Sequence, residues 1–198
     1  MDVKLRAARK EDCREISRMV MELAVFDKMP DQVKISHEEL ERDGFCQNPL
    51  FECIVAEVPE EHQSRGRVSF LMPHFQSTDL CSTLSSAVSL SGFAVVGYAL
   101  YFYTYSTWKG PSAYLEDLYV MPEFRGKGIG KGLLSKVAEV VKKKGCARLQ
   151  LSVLEWNTNA QNLYTSKGAQ DLTVSEGWHA MRFEGQHLDN LAGEAPKE

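Results

Sequence analysis

AYLEDLYVMPEFRGKGIGKGLLSKVAEVVKKK, residues 113–144, decides how this 198-residue chain is read. Ala113 to Met121 mixes aromatic and branched residues and reads as a strand, ended by Pro122. Gly128 to Lys144 carries apolar residues at Ile129, Leu133, Leu134, Val137, Val140 and Val141, a helical period with one buried face. Between them lies Arg125-Gly126-Lys127-Gly128-Ile129-Gly130. Glycines let successive N–H groups turn toward one point. The helix N-terminus adds free donors and a partial positive charge, so the turn suits a pyrophosphate. Arg125 and Lys127 add cationic side chains. Read as glycines alone, the same turn fits a close helix–sheet contact equally well. It is not a P-loop, because the GxxxxGK[ST] spacing is missing.

Upstream, Val3 to Ala7 alternates as a short strand, and Glu11 to Phe26 has helical spacing at Ile16, Met19, Val20, Leu23 and Phe26. Ser36 with Glu39 forms a capping box for a second helix that Gly44 closes. Phe51 to Val58 and Phe93 to Tyr105 read as strands. Downstream come a strand at Ala147 to Leu154, a short helix at Asn159 to Lys167 and two strands around Trp178 to Phe183. This order predicts an α/β (α+β) domain with a mixed, mostly antiparallel sheet flanked by helices. A Rossmann domain is excluded, since no regular βαβ series precedes the glycine motif. The serine-rich stretch from Ser64 to Gly92 shows no sustained period and reads as a flexible insertion at about 65–92 between neighbouring strands.

Composition narrows the function. Hydrophobic residues at 43% and charged residues at 25% are ordinary for a globular domain. A net charge of −4 argues against general nucleic-acid binding. Five cysteines without a CxxC pair point to a reducing compartment rather than to disulfides or zinc. The five histidines have no ligand spacing, so no metal is expected. The N-terminus has no apolar stretch, and no run is long enough for a bilayer, so a cytoplasmic protein with no membrane partner is expected.

The Arg-x-x-Gly-x-Gly spacing after an acidic strand resembles the acetyl-CoA loop of the GNAT acetyltransferase superfamily. YLEDLYVMPEFRGKGIGKGLL, LEWNTNAQNLYTSKGAQDL and SEGWH are similar to the diamine acetyltransferases within it. The thialysine-acetylating branch looks nearer than the spermidine/spermine-acetylating branch. The resemblance covers residues 1–198 as one domain apart from the insertion, and implies a homodimer. It also implies acetyl-CoA as the acetyl donor, without a metal. Main-chain amides of Gly126, Lys127, Gly128, Ile129, Gly130 and Lys131 would hold the diphosphate. Leu118, Tyr119 and Val120 would contact the acetyl group, on a strand splayed from Gln150, Leu151 and Ser152. Asn157, Thr158, Asn159 and Ala160 would complete the site along the CoA.

A free alkyl amine has a pKa of about 10.4, so it must lose a proton before it attacks a thioester. Glu116 and Asp117 lie on the strand beside the turn, and adjacent strand residues face opposite sides. By themselves they also fit a solvated strand end. By resemblance, Glu116 is the base, acting through water, and Tyr164 is the acid for the leaving thiolate. Taken alone, Tyr164 is equally an ordinary packed tyrosine. Phe26, Asp27, Ser106, Thr107, Trp108, Asp117 and Trp178 match the family's substrate positions, although Trp178 also fits a core residue. The polyamine branch carries an aspartate and a proline where this chain has Ser106 and Thr107. Each separated charge of a polyamine wants an acidic partner, so the serine–threonine pair favours a lysine-like amino acid such as thialysine. Two alternatives stay open: a polyamine acetyltransferase, and an acetyl-CoA-binding splice product whose insertion impairs catalysis.

Overall fold

The computed structural model describes residues 2–59 and 92–196. The expected insertion therefore lies outside the described residues, except for Gly92. Five strands form one sheet in the order β1-β2-β3-β4-β5. They are β1 (Lys4–Ala7), β2 (Glu52–Pro59), β3 (Phe93–Ser106), β4 (Gly110–Val120) and β5 (Arg148–Leu151). The first four pair antiparallel and β5 joins β4 in parallel, so the sheet is mixed. Three helices accompany them: α1 (Cys13–Phe26), α2 (His37–Gly44) and α3 (Ile129–Lys143).

Each face of the sheet has its own core. Cys13, Ile16 and Met19 of α1 and Leu40 of α2 pack with Val55, Tyr98, Leu100 and Tyr119. Ile129, Leu133, Val137 and Val141 of α3 pack with Ala56, Val96, Ala99, Tyr101, Ala113 and Leu115 on the other face. Burying one such aliphatic side chain contributes about 1.5–3 kcal/mol, so these stripes hold the helices against the sheet. Arg6 ties the N-terminal elements together: Nη1 donates to Asp12 at 2.6 Å and Nε to Glu57 at 2.7 Å.

The local signals act as expected. Ser36 Oγ accepts from Glu39 N at 3.2 Å, and Glu39 Oε2 accepts from Ser36 N at 2.8 Å, closing the box that starts α2. Pro122 opens a 3-10 turn immediately after β4.

By internal contacts the chain divides into two units, Met1–Leu154 and Glu155–Glu198. The second contains α4 (Thr158–Thr165), α5 (Leu172–Glu176) and α6 (Gln186–Gly193). Asn157 and Asp171 cap α4 and α5 with their side chains. The two strands expected around Trp178 to Phe183 do not form; that segment is irregular. A strand persists where a neighbour completes its hydrogen-bond ladder, and no such partner is assigned to this segment.

Candidate active site

The site grows from one irregularity in β4. Leu100 pairs with Asp117 and Tyr101 with Leu115, which leaves Glu116 as the extra residue of a bulge. Its effect is visible in the alternation. Ala113 and Leu115 face α3, whereas Tyr119 faces α1 and Val120 faces α3 again. The bulge switches faces once and leaves Glu116 exposed at the crossover.

Asp117 takes the next position and is half-buried. Tyr98 donates its hydroxyl to Asp117 Oδ2 at 2.9 Å. Burial pushes the Asp117 carboxyl up to about 6, the hydrogen bond from Tyr98 opposes the rise, and the charges of Glu116 and Asp27 add to it. Asp27 caps the end of α1, and burial raises its carboxyl as well. Phe26, the last residue of α1, adjoins it in the chain. Phe26, Asp27, Glu116 and Asp117 thus belong to one region of the first unit.

β4 outruns β5. Their ladder ends with Tyr114 opposite Gln150 and Leu115 opposite Leu151. Beyond it, residues 116–120 have no strand partner on that side among the described residues. Backbone groups of this stretch that point to that side, apart from the Val120 carbonyl, are therefore open to a ligand with amide groups of its own. Ser152, just past β5, shares a 2.6 Å hydrogen bond with Tyr114.

The glycine turn follows. Gly126 and Gly128 have φ of 73° and 81°, a region that costs other residues strain. A Cβ on either would meet nothing within 4 Å, so the turn faces open space. Gly128 is the N-cap of α3 without a side-chain cap, which leaves the first-turn amides around Ile129, Gly130 and Lys131 for an anion. The two cations of the motif are turned toward the protein. Arg125 Nε donates to the Val120 carbonyl at 2.7 Å, and Lys127 Nζ to the Glu123 carbonyl at 3.0 Å. Main-chain amides, more than these side chains, are left available to an anion.

Ser106, Thr107 and Trp108 stand elsewhere. They form the β3–β4 hairpin tip, where Ser106 Oγ accepts from Trp108 N at 3.3 Å and Lys109 N at 3.2 Å. Leu100, opposite Asp117, lies six residues before Ser106, which separates the tip from the acidic pair by about 20 Å along the strand. Within one chain the tip and Glu116 are not brought together. Trp108 is 77% exposed.

In the second unit, Asn157 Oδ1 accepts from Ala160 N at 3.2 Å and sets the first turn of α4, which carries Thr158 and Asn159. Tyr164 is half-buried on α4, and its carbonyl closes the helix by accepting from Lys167 and Ala169. Trp178 is 56% exposed and donates to Glu176 at 2.6 Å, so it is a surface residue of its unit rather than core.

Sequence reasoning missed Gly97 and Tyr98. A Cβ at Gly97 would stand 2.7 Å from the Tyr119 carbonyl oxygen, so β3 and β4 touch there at glycine distance. A lone glycine inside FAVVGYALY is the signal for such an approach. Two hollows beside α2, of about 330 and 290 Å³, include none of the site residues. Among the described residues no cluster of His, Cys, Asp or Glu suits a metal ion. No helix among them is long and apolar enough to cross a membrane.

Residues 60–169 match the family described as "Acetyltransferase (GNAT) family". Thialysine N-epsilon-acetyltransferase of Mus musculus is 48% identical over 191 residues, covering 96% of this chain and 97% of that protein. Spermidine/spermine N(1)-acetyltransferase-like protein 1 of Homo sapiens is 35% identical over 190 residues, covering 96% of this chain and 24% of that longer protein. Among solved structures, AAC(6')-Iy in complex with the bisubstrate analog CoA-S-monomethyl-acetylneamine has a TM-score of 0.61 at 16% identity, with 94% of this chain and 99% of that one covered.

Proposed function

The chain belongs to the acetyltransferase (GNAT) family, and from that premise we propose that it acetylates the primary amine of a small cationic substrate, a lysine-like amino acid such as thialysine. Its five-stranded sheet with flanking helices is the GNAT fold. The carrying observation is that β4 and the turn that follows it present three features in order: the bulged Glu116 and Asp117, the unpaired edge at 118–120, and the glycine turn.

Acetyl-CoA fits the residues present. Amides of residues 126–131 would hold its diphosphate and the β4 edge its pantetheine amides; family likeness adds Asn157 to Ala160 as CoA contacts. The amine would enter as a cation, drawn by Asp27 and Asp117. Glu116, exposed on the bulge, takes the proton from the bound ammonium through a water. The freed lone pair then attacks the thioester carbonyl and the carbon–sulfur bond breaks; the departing sulfur takes a proton from a phenol, the role that family likeness gives to Tyr164, and the nitrogen's second proton passes to the phenolate so formed. Open backbone groups on β4 stabilise charge on the carbonyl oxygen.

The full-length likeness to the murine thialysine enzyme supports the amino-acid substrate. The hairpin tip supports a homodimer. At about 20 Å from Asp117, Ser106, Thr107 and Trp108 would line an amine site if a second copy supplies them. Buried free thiols at Cys13, Cys53 and Cys146 support a reducing, cytoplasmic setting.

Steady-state kinetics on thialysine and spermidine test the reading. A higher kcat/KM for thialysine is expected, and Ser106→Asp is expected to raise the value for spermidine. A wild-type preference for spermidine would move the chain to polyamine acetylation, which the likeness to the spermidine/spermine-like protein favours.

A further inference from the structure

Arg125 stands between two elements that the proposed reaction needs in register. It opens the glycine turn, and its Nε donates to the Val120 carbonyl at 2.7 Å. Its guanidinium carbon lies 5.2 Å from the centroid of the Phe26 ring and 5.4 Å from that of Tyr119. Phe26 ends α1, and Asp27 caps it. Tyr119 follows Asp117 by two residues on β4 and gives its hydroxyl to Glu22 of α1 at 2.9 Å. One guanidinium therefore fastens the strand of the acidic pair, the start of the glycine turn and the end of α1.

Lysine does not reproduce this arrangement. A point charge lacks the planar fork that stacks on a ring while hydrogen-bonding a carbonyl. A side chain serving a phosphate as a mere counter-charge also needs no ring on α1. The electrostatics join the same parts: the Asp27 charge is felt at Asp117.

We propose that Arg125 is a positioning residue that couples the acetyl-CoA turn to the amine side of the site, holding Phe26 and Asp27 in place against Asp117. The inference rests on the functional reading above, which assigns the turn to acetyl-CoA and the acids to the amine. With the clamp broken, the turn still presents its amides, whereas the end of α1 drifts from β4.

The test uses full-length wild type, Arg125→Lys, Phe26→Leu and the double variant, each varied in amine at saturating acetyl-CoA and in acetyl-CoA at saturating amine. Each single variant is expected to raise the amine KM roughly two- to fivefold, the size of one exposed cation–π contact. The double variant is expected to be no worse than the weaker single variant, because both break the same contact. Phe26→Tyr keeps the ring and is expected to raise the amine KM less than Phe26→Leu does. Additive effects, or an Arg125→Lys effect confined to the KM for acetyl-CoA, overturn the clamp and leave Arg125 as a phosphate contact. An amine KM in Phe26→Tyr as high as in Phe26→Leu also counts against it. A wild-type chain that releases no CoA with any amine overturns the functional reading itself, so the two failures separate.

Discussion

Tyr98 on β3 donates its phenolic proton to Asp117 on β4 at 2.9 Å, and so fixes an acid on the α1 face of the sheet. Burial raises that acid to about 6. It is therefore mostly ionised at neutral pH and neutral a little below it. The same pair is expected to bear on both stability and amine capture.

Capture of the amine is expected to weaken in acid. Ionised Asp117 attracts an ammonium and protonated Asp117 does not. The kcat/KM for the amine should fall as pH drops through about 6. That limb should disappear in Asp117→Asn, whose kcat/KM is low throughout. A pH profile of both proteins checks this.

Stability is expected to move the other way. The folded chain holds a proton on Asp117 up to about 6, whereas an unfolded aspartate releases it near about 3.9. Between those values the folded state binds more protons, so stability falls as pH rises through that window and stays lower above it. Asp117→Asn should melt higher than wild type at pH ~8, by roughly 1–2 kcal/mol after allowance for partial exposure, and the gap should close by pH ~4.

Gly97→Ala is expected to damage activity from a position outside the site. Its Cβ would stand 2.7 Å from the Tyr119 carbonyl, and both partners are backbone in a paired sheet. β4 must shift where the acetyl group is to lie. We expect a cost of about 1–3 kcal/mol in chemical denaturation and a fall of roughly tenfold or more in kcat.

Gly128→Ala isolates the phosphate end. At φ of 81° an alanine costs about 1–2 kcal/mol of strain but meets no atom within 4 Å. The KM for acetyl-CoA should rise, with the amine KM at saturating acetyl-CoA unchanged.

Glu116→Gln and Tyr164→Phe are expected each to lower kcat by roughly 10²–10⁴ while leaving the melting temperature close to wild type. Glu116 is exposed on a bulge and Tyr164 is half-buried, so neither change opens a core cavity. Kinetics and melting curves on the same preparations check this.

Much of the fold is legible in the chain because its signals are local. Proline after β4, glycine before α3 and the Ser36–Glu39 box mark their own boundaries. The glycine turn is legible for the same reason, since its φ angles are a property of two residues. What stays hidden is relational. The Glu116 bulge exists only in register with β3, and nothing in YLEDLYV announces which residue is extra. Arg125 reads as a phosphate cation until Phe26, 99 positions earlier in the chain, is found beside it. Ser106 to Trp108 read as neighbours of Glu116 by family likeness, yet strand rise holds them about 20 Å apart in one chain. The tail around Trp178 to Phe183 reads as strands in the sequence, but a local reading supplies no ladder partner.

The most direct measurement is the fate of one acetyl group. Wild-type protein is incubated with acetyl-CoA and thialysine, free CoA is followed by a thiol reagent, and the amine is followed by mass spectrometry. The account predicts that CoA release and mono-acetylated side-chain amine appear in equal amounts, and that both depend on Glu116. Saturable acetyl-CoA binding with no thiol release above the blank, for thialysine, spermidine and other small amines alike, would contradict it.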